Sequence, residues 1–407
     1  MMISLYNIII YLSSILIFIG SFFSKKLNLL YEGRKKVKMY FKTINITNEK
    51  KIWIHVSSVG EFEQAKSIIY YFKQKSKFKI FVTFFSPSAE KVIQKFKLVD
   101  YSCYLPEDSK NKISYLYKKI NPKILLLIKY EFWYHLINEG KKINIPVVSI
   151  SSIFRKNQIY FNGFSFFSKP LKNIAHYYVQ NEESKSLLKS IDIINVTVVG
   201  DTRFDRVYDI YKKSKNYPKI EKFVKKSNTL IIGSSWKSDI NILKDGIVNS
   251  NKLKFIIAPH NVNEDEIIFI ENLFANNTIR YSNLKLDNFY DKNILIIDNI
   301  GMLSSIYRYG NIAYIGGGFE GTLHNSLEAA IWDLPILYGN HKNNKKFNEI
   351  RNMEKLDLSF PINSIIEYEK KINKLLNKKN TYGTKKYVLN SIGATKLIYQ
   401  SLNKLLK

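Results

Sequence analysis

The feature that most narrows the fold is an alternation of short apolar runs with helical patterns along nearly the whole chain. Residues 52–58 (IWIHVSS), 78–85 (FKIFVTFF), 123–128 (KILLLI), 146–150, 177–180 and 196–199 have strand length, and helical spacing fills 62–73, 89–96 and 133–139. Strands separated by helices predict βαβ units and a parallel sheet. A second series follows at 229–233 (TLIIG), 254–258 (KFIIA), 293–297 (NILII), 312–315 (IAYI) and 335–338 (PILY), with helices at 303–309 and 325–332. Between the two series, the Lys-rich stretch 208–226 contains Pro218 and reads as a linker. The expectation is an α/β chain of two Rossmann-like parallel-sheet domains facing a central cleft, with ligands outside the carboxyl ends of the strands.

Ahead of the first strand, residues 3–23 carry no charge, long enough as a helix to cross a hydrocarbon core of about 30 Å. Lys25, Lys26, Arg34, Lys35, Lys36 and Lys38 follow, and nothing basic precedes the run. The positive-inside rule then predicts a single-pass, uncleaved transmembrane anchor in the inner (cytoplasmic) membrane, with the remaining chain on the cytoplasmic side. Residues 31–42 suit a basic segment on the membrane surface. The expected boundaries are an anchor at 1–24, an N-terminal acceptor-binding domain at 25–207 and a linker at 208–217. A nucleotide-sugar domain at 218–385 and a terminal helix at 386–407 complete the division. Residues 158–172 (QIYFNGFSFFSKPLK) combine aromatics with Lys and fit a membrane-facing lip, or else buried core.

The net charge is +29, yet only seven of the 63 basic residues are Arg. A nucleic-acid binder is expected to use more Arg, whose planar fork reads phosphates and bases. The Lys, Ile, Asn and Tyr excess matches compositional drift, with membrane lipid the natural anionic partner and no nucleic acid expected. A single cysteine, Cys103, excludes an intrachain disulfide framework and a Cys-rich metal site. No paired-aspartate motif follows a strand, so neither a metal nor another cofactor is expected.

The segment GGGFEGTLHNSLEAAIWDLPILYG (316–339) carries the most chemistry. Glycines after a strand let a backbone approach a ligand, and His324 and Asn325 then open a helix with Glu328 one turn in. A helix start suits phosphate and a carboxylate suits a ribose; the competing reading is a capping box of Asn325 with Glu328.

This segment resembles the glycine-rich HNxLE signature of the 3-deoxy-D-manno-octulosonate (Kdo) transferases, GT-B glycosyltransferases of the lipopolysaccharide inner core. In the same order as in that family, IHVSSVGEFEQAKSII (54–69) resembles its HxxSVGE motif, and VTFFSPSAEK (82–91) and YLPEDS (104–109) are similar to its next two. KYEFWYHLI (129–137), SSIFRKNQ (151–158) and VVGDTRFDRV (198–207) resemble its later ones. The resemblance covers most of the chain. It implies transfer of Kdo from CMP-Kdo to lipid IVA, a lipid A precursor, with inversion expected. It implies Glu61 as general base, a carboxylate at a strand-ending turn suited to taking a hydroxyl proton. It implies Glu131 and Arg203 as transition-state groups, Arg203 standing where the family often has Lys. CMP contacts are implied at Pro259, His260, Gly301, Met302, Leu303, Asn325, Ser326, Leu327 and Glu328, with 233–236 (GSSW) near the sugar nucleotide. His260 replaces an Arg common in the family, and Met302 a carboxylate. The alternatives are another membrane-associated GT-B enzyme on a UDP-sugar, such as a lipid disaccharide synthase or an epimerase-like protein, and a membrane-tethered basic binding protein.

Overall fold

The computed structural model describes residues 2–406 except 47, 164, 226, 251, 286–288, 290 and 378–381, with the side chain of residue 165 also left aside. The chain divides into two compact units, Met1–Arg206 with Ser391–Lys407, and Val207–Asn390.

In the first unit, β1 (Lys51–Val56), β2 (Lys79–Phe84), β3 (Tyr101–Tyr104), β4 (Pro122–Ile128), β5 (Val147–Ser152), β6 (His176–Val179) and β7 (Val196–Val198) form one sheet in the order β3-β2-β1-β4-β5-β6-β7. Each neighbouring pair is parallel. Helices cover both faces of such a sheet, so its inner strands are buried along their length, and β1 is buried throughout as KIWIHV. The chain lays down β2 and β3 on one side of β1, then returns to its other side with β4. Strand order therefore reverses between β1 and β4, where a crevice opens past the strand ends.

The second unit repeats the scheme. β8 (Asn228–Ser235), β9 (Leu253–Pro259), β10 (Thr278–Arg280), β11 (Ile294–Ile296), β12 (Ile312–Ile315), β13 (Ile336–Gly339) and β14 (Ser359–Ile362) follow the order β10-β11-β9-β8-β12-β13-β14. All pairs are again parallel, and the reversal lies between β8 and β12.

Three local expectations change. The stretch read as a linker carries the helices Thr202–Lys212 and Pro218–Val224; Ile220 and Phe223 are buried on the latter, with Pro218 at its start, where a missing N–H costs nothing. The terminal helix Ala394–Leu405 belongs to the first unit. Asp205 accepts hydrogen bonds from the N–H groups of Gly393 (2.7 Å) and Thr395 (2.9 Å), and Ile398 and Leu402 enter that unit's core. The aromatic stretch 158–172 turns largely inward. Tyr160 meets Phe132 edge-on at 5.8 Å, Phe161 meets Phe154 at 5.9 Å, and Phe166 is buried and stacks on Tyr134. Tyr160 and Phe161 are half-buried against the core of the first unit and Phe166 is buried, which fits the core reading for these rings; Phe164 lies outside the described residues.

The helix Met2–Ser21 is long and apolar enough to cross a membrane. The Tyr6 hydroxyl of this helix donates to Asp108, and Asn7 Oδ1 accepts from His135 Nε2.

Candidate active site

Beyond β1, the turn Ser57–Ser58 leads into the helix Val59–Lys75, whose first turn holds Glu61. The Ser57 N–H donates to Glu61 Oε2, which fixes the carboxyl at the strand end. Beyond β4 comes Glu131, 9% exposed, whose Oε2 accepts the Trp133 indole N–H at 2.8 Å. The two carboxyls thus lie just past the ends of the two strands that flank the order reversal.

Their electrostatics diverge. Burial, and then the neighbouring Glu131 charge, push the Glu61 pKa up to about 7 against the pull of Ser57, Lys129 and Ser58. Burial would also raise Glu131, but His55, Trp133 and Ser57 outweigh it and hold that carboxyl below the usual range. Two interacting acids separated in this way supply one permanent anion and one group able to exchange a proton near neutral pH.

His55 organises Glu131. It is fully buried, with Nδ1 3.0 Å from the Thr83 hydroxyl and 3.1 Å from the Thr83 carbonyl. The Thr83 hydroxyl in turn accepts the Trp53 indole N–H at 2.8 Å. His55 Nε2 stands 3.4 Å from Glu131 Oε2, at ion-pair separation without hydrogen-bond geometry. Arg203 is bound to Asp201, its Nε donating to Oδ2 at 2.8 Å and its backbone N–H to Oδ1 at 2.9 Å. Burial would raise Asp201, but the Arg203 charge holds it low. Tyr130 links these groups, lying 3.4 Å from Arg155 and within the fields of Glu61 and Arg203. Glu63, by contrast, pairs with Lys66 and Arg206.

His55, Lys129 and Asp201 fall inside the motifs at 54–69, 129–137 and 198–207, and the motifs alone assign them no role. Their position just at or past strand carboxyl ends was the available signal. Lys129 also adopts a positive φ of 62°, unusual for a residue with a side chain.

In the second unit, the ends of β8, β9 and β12 bring three rings together. Trp236 stacks on His260 at 4.7 Å, and His260 on His324 at 4.3 Å. The Trp236 indole donates to His324 Nε2 at 2.8 Å. Burial, then the adjacent His260, lowers His324 to about 4, and burial lowers His260 with Glu266 opposing. Both imidazoles are therefore mainly neutral at pH 7, so His260 does not replace the charge of an Arg there. Asp239, fully buried, ties the crevice together by accepting from Trp236 N (2.9 Å), Gly317 N (2.8 Å) and the Tyr314 hydroxyl (2.7 Å).

Two expectations for the glycine segment need correction. A Cβ on Gly316 would strike the Ser234 carbonyl, and one on Gly318 the Gly339 backbone, so these glycines permit close packing of protein on protein. The helix expected over 325–332 is a single turn, Leu327–Ala330, with Ser326 as its cap residue. It is too short to build up an axial dipole. Asn325 instead caps locally, accepting from Leu327 N at 3.2 Å and donating to Glu328 Oε1 at 3.0 Å. The Ser326 and Ser235 hydroxyls are buried and have no hydrogen-bond partner among the described residues, an unmet demand that a ligand can satisfy. Pro259 ends β9; Gly301, at φ 95°, precedes the buried Met302, which begins the turn Leu303–Ile306.

A family model described as 3-Deoxy-D-manno-octulosonic-acid transferase (kdotransferase) matches residues 32–206. The chain is 27% identical over 351 residues to a bifunctional glycosyltransferase/methyltransferase of Fusobacterium nucleatum, a match covering 83% of this chain and 54% of that protein, about half its length. It is 26% identical over 355 residues to a 3-deoxy-D-manno-octulosonic acid transferase of Aquifex aeolicus, covering 84% and 91% respectively. Among solved structures, the UDP-GlcNAc 2-epimerase of Neisseria meningitidis aligns with a TM-score of 0.56 at 16% identity, covering 87% of this chain and 100% of that one. The enzyme of the same name from Methanocaldococcus jannaschii gives 0.55 at 14%, covering 86% and 99%. At such identities the structural likeness is one of fold.

Proposed function

We propose, for a chain that belongs to the 3-deoxy-D-manno-octulosonic-acid transferase family, that it moves Kdo from CMP-Kdo to lipid IVA at the cytoplasmic face of the inner membrane, inverting the anomeric centre. The observation that carries this reading is the pair of buried carboxyls at the β1/β4 reversal, with Glu61 raised to about 7 and Glu131 held low.

In the proposed step, Glu61 takes the proton of an acceptor sugar hydroxyl as its oxygen bonds to the anomeric carbon of Kdo. The bond from that carbon to the CMP phosphate breaks, and CMP leaves with the electron pair. Glu131, ionised and steadied by His55 and Trp133, offsets positive charge that develops at the sugar. Arg203 offsets phosphate charge, with Asp201 aligning its guanidinium. The second unit holds CMP. Its neutral ring stack offers a flat surface to base or ribose, and Ser235, Ser326 and Glu328 offer polar contacts.

Mass analysis of lipid IVA incubated with CMP-Kdo and the full chain tests this reading, with UDP-GlcNAc as the competing donor. Addition of Kdo supports it; no product from CMP-Kdo together with turnover of UDP-GlcNAc would overturn it.

A further inference from the structure

Thr83 falls inside the motif at 82–91, and the reaction proposed above gives it no part. It sits on β2, which flanks β1 on the side away from β4. The parallel register sets Thr83 beside His55. Trp53 comes two residues before His55, so both side chains leave the same face of β1. Trp53, His55 and Thr83 are each wholly buried, which obliges the polar hydrogens among them to find acceptors.

That obligation sets a direction. The Trp53 indole carries an N–H and no acceptor, so at 2.8 Å it donates to Thr83 Oγ1. The Thr83 hydroxyl hydrogen cannot point back along that bond. Among the described residues, the other side-chain atom within hydrogen-bond reach of Oγ1 is His55 Nδ1, at 3.0 Å. With the hydroxyl donating there, Nδ1 uses its lone pair, and the neutral ring carries its hydrogen on Nε2. Nε2 has no hydrogen-bond partner among the described residues, and Glu131 Oε2 stands 3.4 Å from it. An N–H at that place faces the carboxylate with the positive end of its dipole, beside the Trp133 N–H that already reaches the same oxygen at 2.8 Å. The opposite arrangement puts the hydrogen on Nδ1, donating to the Thr83 carbonyl at 3.1 Å. The Thr83 hydroxyl hydrogen is then buried without an acceptor, and in a neutral ring the Nε2 lone pair confronts an anion. The first arrangement avoids both costs.

We infer that Thr83 is a positioning residue: held by Trp53, its hydroxyl keeps His55 as the Nε2–H tautomer, and that N–H keeps the Glu131 carboxylate in place. The relay starts on β2, passes through β1 and ends just past β4, so it crosses three neighbouring strands. Thr83 acts on the reaction only through His55 and Glu131. Its effect on rate rests on the Kdo-transfer reading; the tautomer does not.

The test reads the tautomer directly. Proton–nitrogen correlation spectra of the substrate-free full chain, carrying isotope-labelled histidine, distinguish protonated from bare ring nitrogens. His55 is picked out from the six histidines by its loss in His55→Gln. The parent should show hydrogen on Nε2 of His55 and none on Nδ1. Hydrogen on Nδ1, alone or together with Nε2, would overturn the inference. Thr83→Val removes the hydroxyl at nearly constant shape and leaves Nδ1 only the residue-83 carbonyl, so hydrogen should appear on Nδ1. With it, kcat for Kdo transfer should fall by about 10–100-fold, the rate equivalent of a lost hydrogen bond to a charged group, while KM for CMP-Kdo stays within about twofold. Thr83→Ser keeps a hydroxyl and should recover both the Nε2–H signature and most of the rate. A serine variant as slow as the valine one, or a valine variant with the parent's tautomer, would overturn the relay. If Thr83→Val does not fold, the parent spectrum and the serine variant still decide. A parent that transfers no Kdo would overturn the functional reading and leave the spectra to decide the tautomer.

Discussion

The two units place their functional residues by the same rule and fill the positions with opposite chemistry. At the β1/β4 reversal the first unit gathers ionisable groups: Glu61, Glu131, His55 and the Arg203–Asp201 pair. At the β8/β12 reversal the second unit gathers stacked rings whose imidazoles burial keeps neutral. Parallel topology supplies a crevice in each case, since side chains past the carboxyl ends escape the packing that constrains the strands. What each crevice does depends on a handful of residues beyond the strand ends. A charged crevice suits a proton transfer; a neutral, flat one suits holding a nucleotide.

The largest effect should come from Glu61→Gln. If the first unit supplies the base, kcat falls by roughly 10²–10⁴-fold, the usual range for losing such a group, while CMP affinity is unchanged. Single-turnover rates and CMP titration measured on one preparation separate the two, and a parallel loss of CMP affinity would erase the division of labour. In the parent, kcat/KM should rise with pH through about 7, because Glu61 accepts a proton only once ionised.

The same substitution should stabilise the protein. Glu61 holds its proton more tightly folded than unfolded, so folding stability falls as pH climbs from the ordinary value of 4.5 towards about 7 and stays lowered above it. Glu61→Gln removes that penalty. At pH 8 the variant should be more stable by about 1–3 kcal/mol, and near pH 4 it should match the parent, as chemical denaturation at both pH values would reveal. A variant no more stable at pH 8 would mean that Glu61 is not strained by burial.

Glu328→Ala probes the other side and should weaken CMP binding by about 1–2 kcal/mol, the scale of a hydrogen bond to a charged group. Calorimetry on the folded variant checks it; unchanged affinity would move the nucleotide away from this turn. The smallest effect is expected from His260→Arg. Adding a permanent charge at the ring stack should tighten CMP by about 1 kcal/mol and flatten any pH dependence of binding that arises as the parent's imidazole, its proton affinity lowered by burial, takes up its proton in acid. Weaker binding would show that the stack matters more than the charge.

The sequence by itself determined the parallel α/β character of both units, because doubly covered strands read as near-continuous apolar runs, and residues 52–54 of β1, 124–128 of β4, 230–232 of β8 and 255–258 of β9 are such runs. It also marked Glu61, Glu131 and Arg203 as candidates, since the ordered motifs resemble one family. Tertiary structure decided the rest. The partner of Glu131 is a histidine from another strand, which local spacing cannot reveal. The glycines at 316–318 answer to the Ser234 carbonyl and the Gly339 backbone, contacts formed only when β8, β12 and β13 assemble. Hydropathy along residues 3–23 records how apolar a helix is; the hydrogen bonds of Tyr6 with Asp108 and of Asn7 with His135, partners more than a hundred residues away, form only in the folded chain. Periodicity is written in neighbouring residues, whereas charge state and docking arise from groups that meet only after the chain has folded.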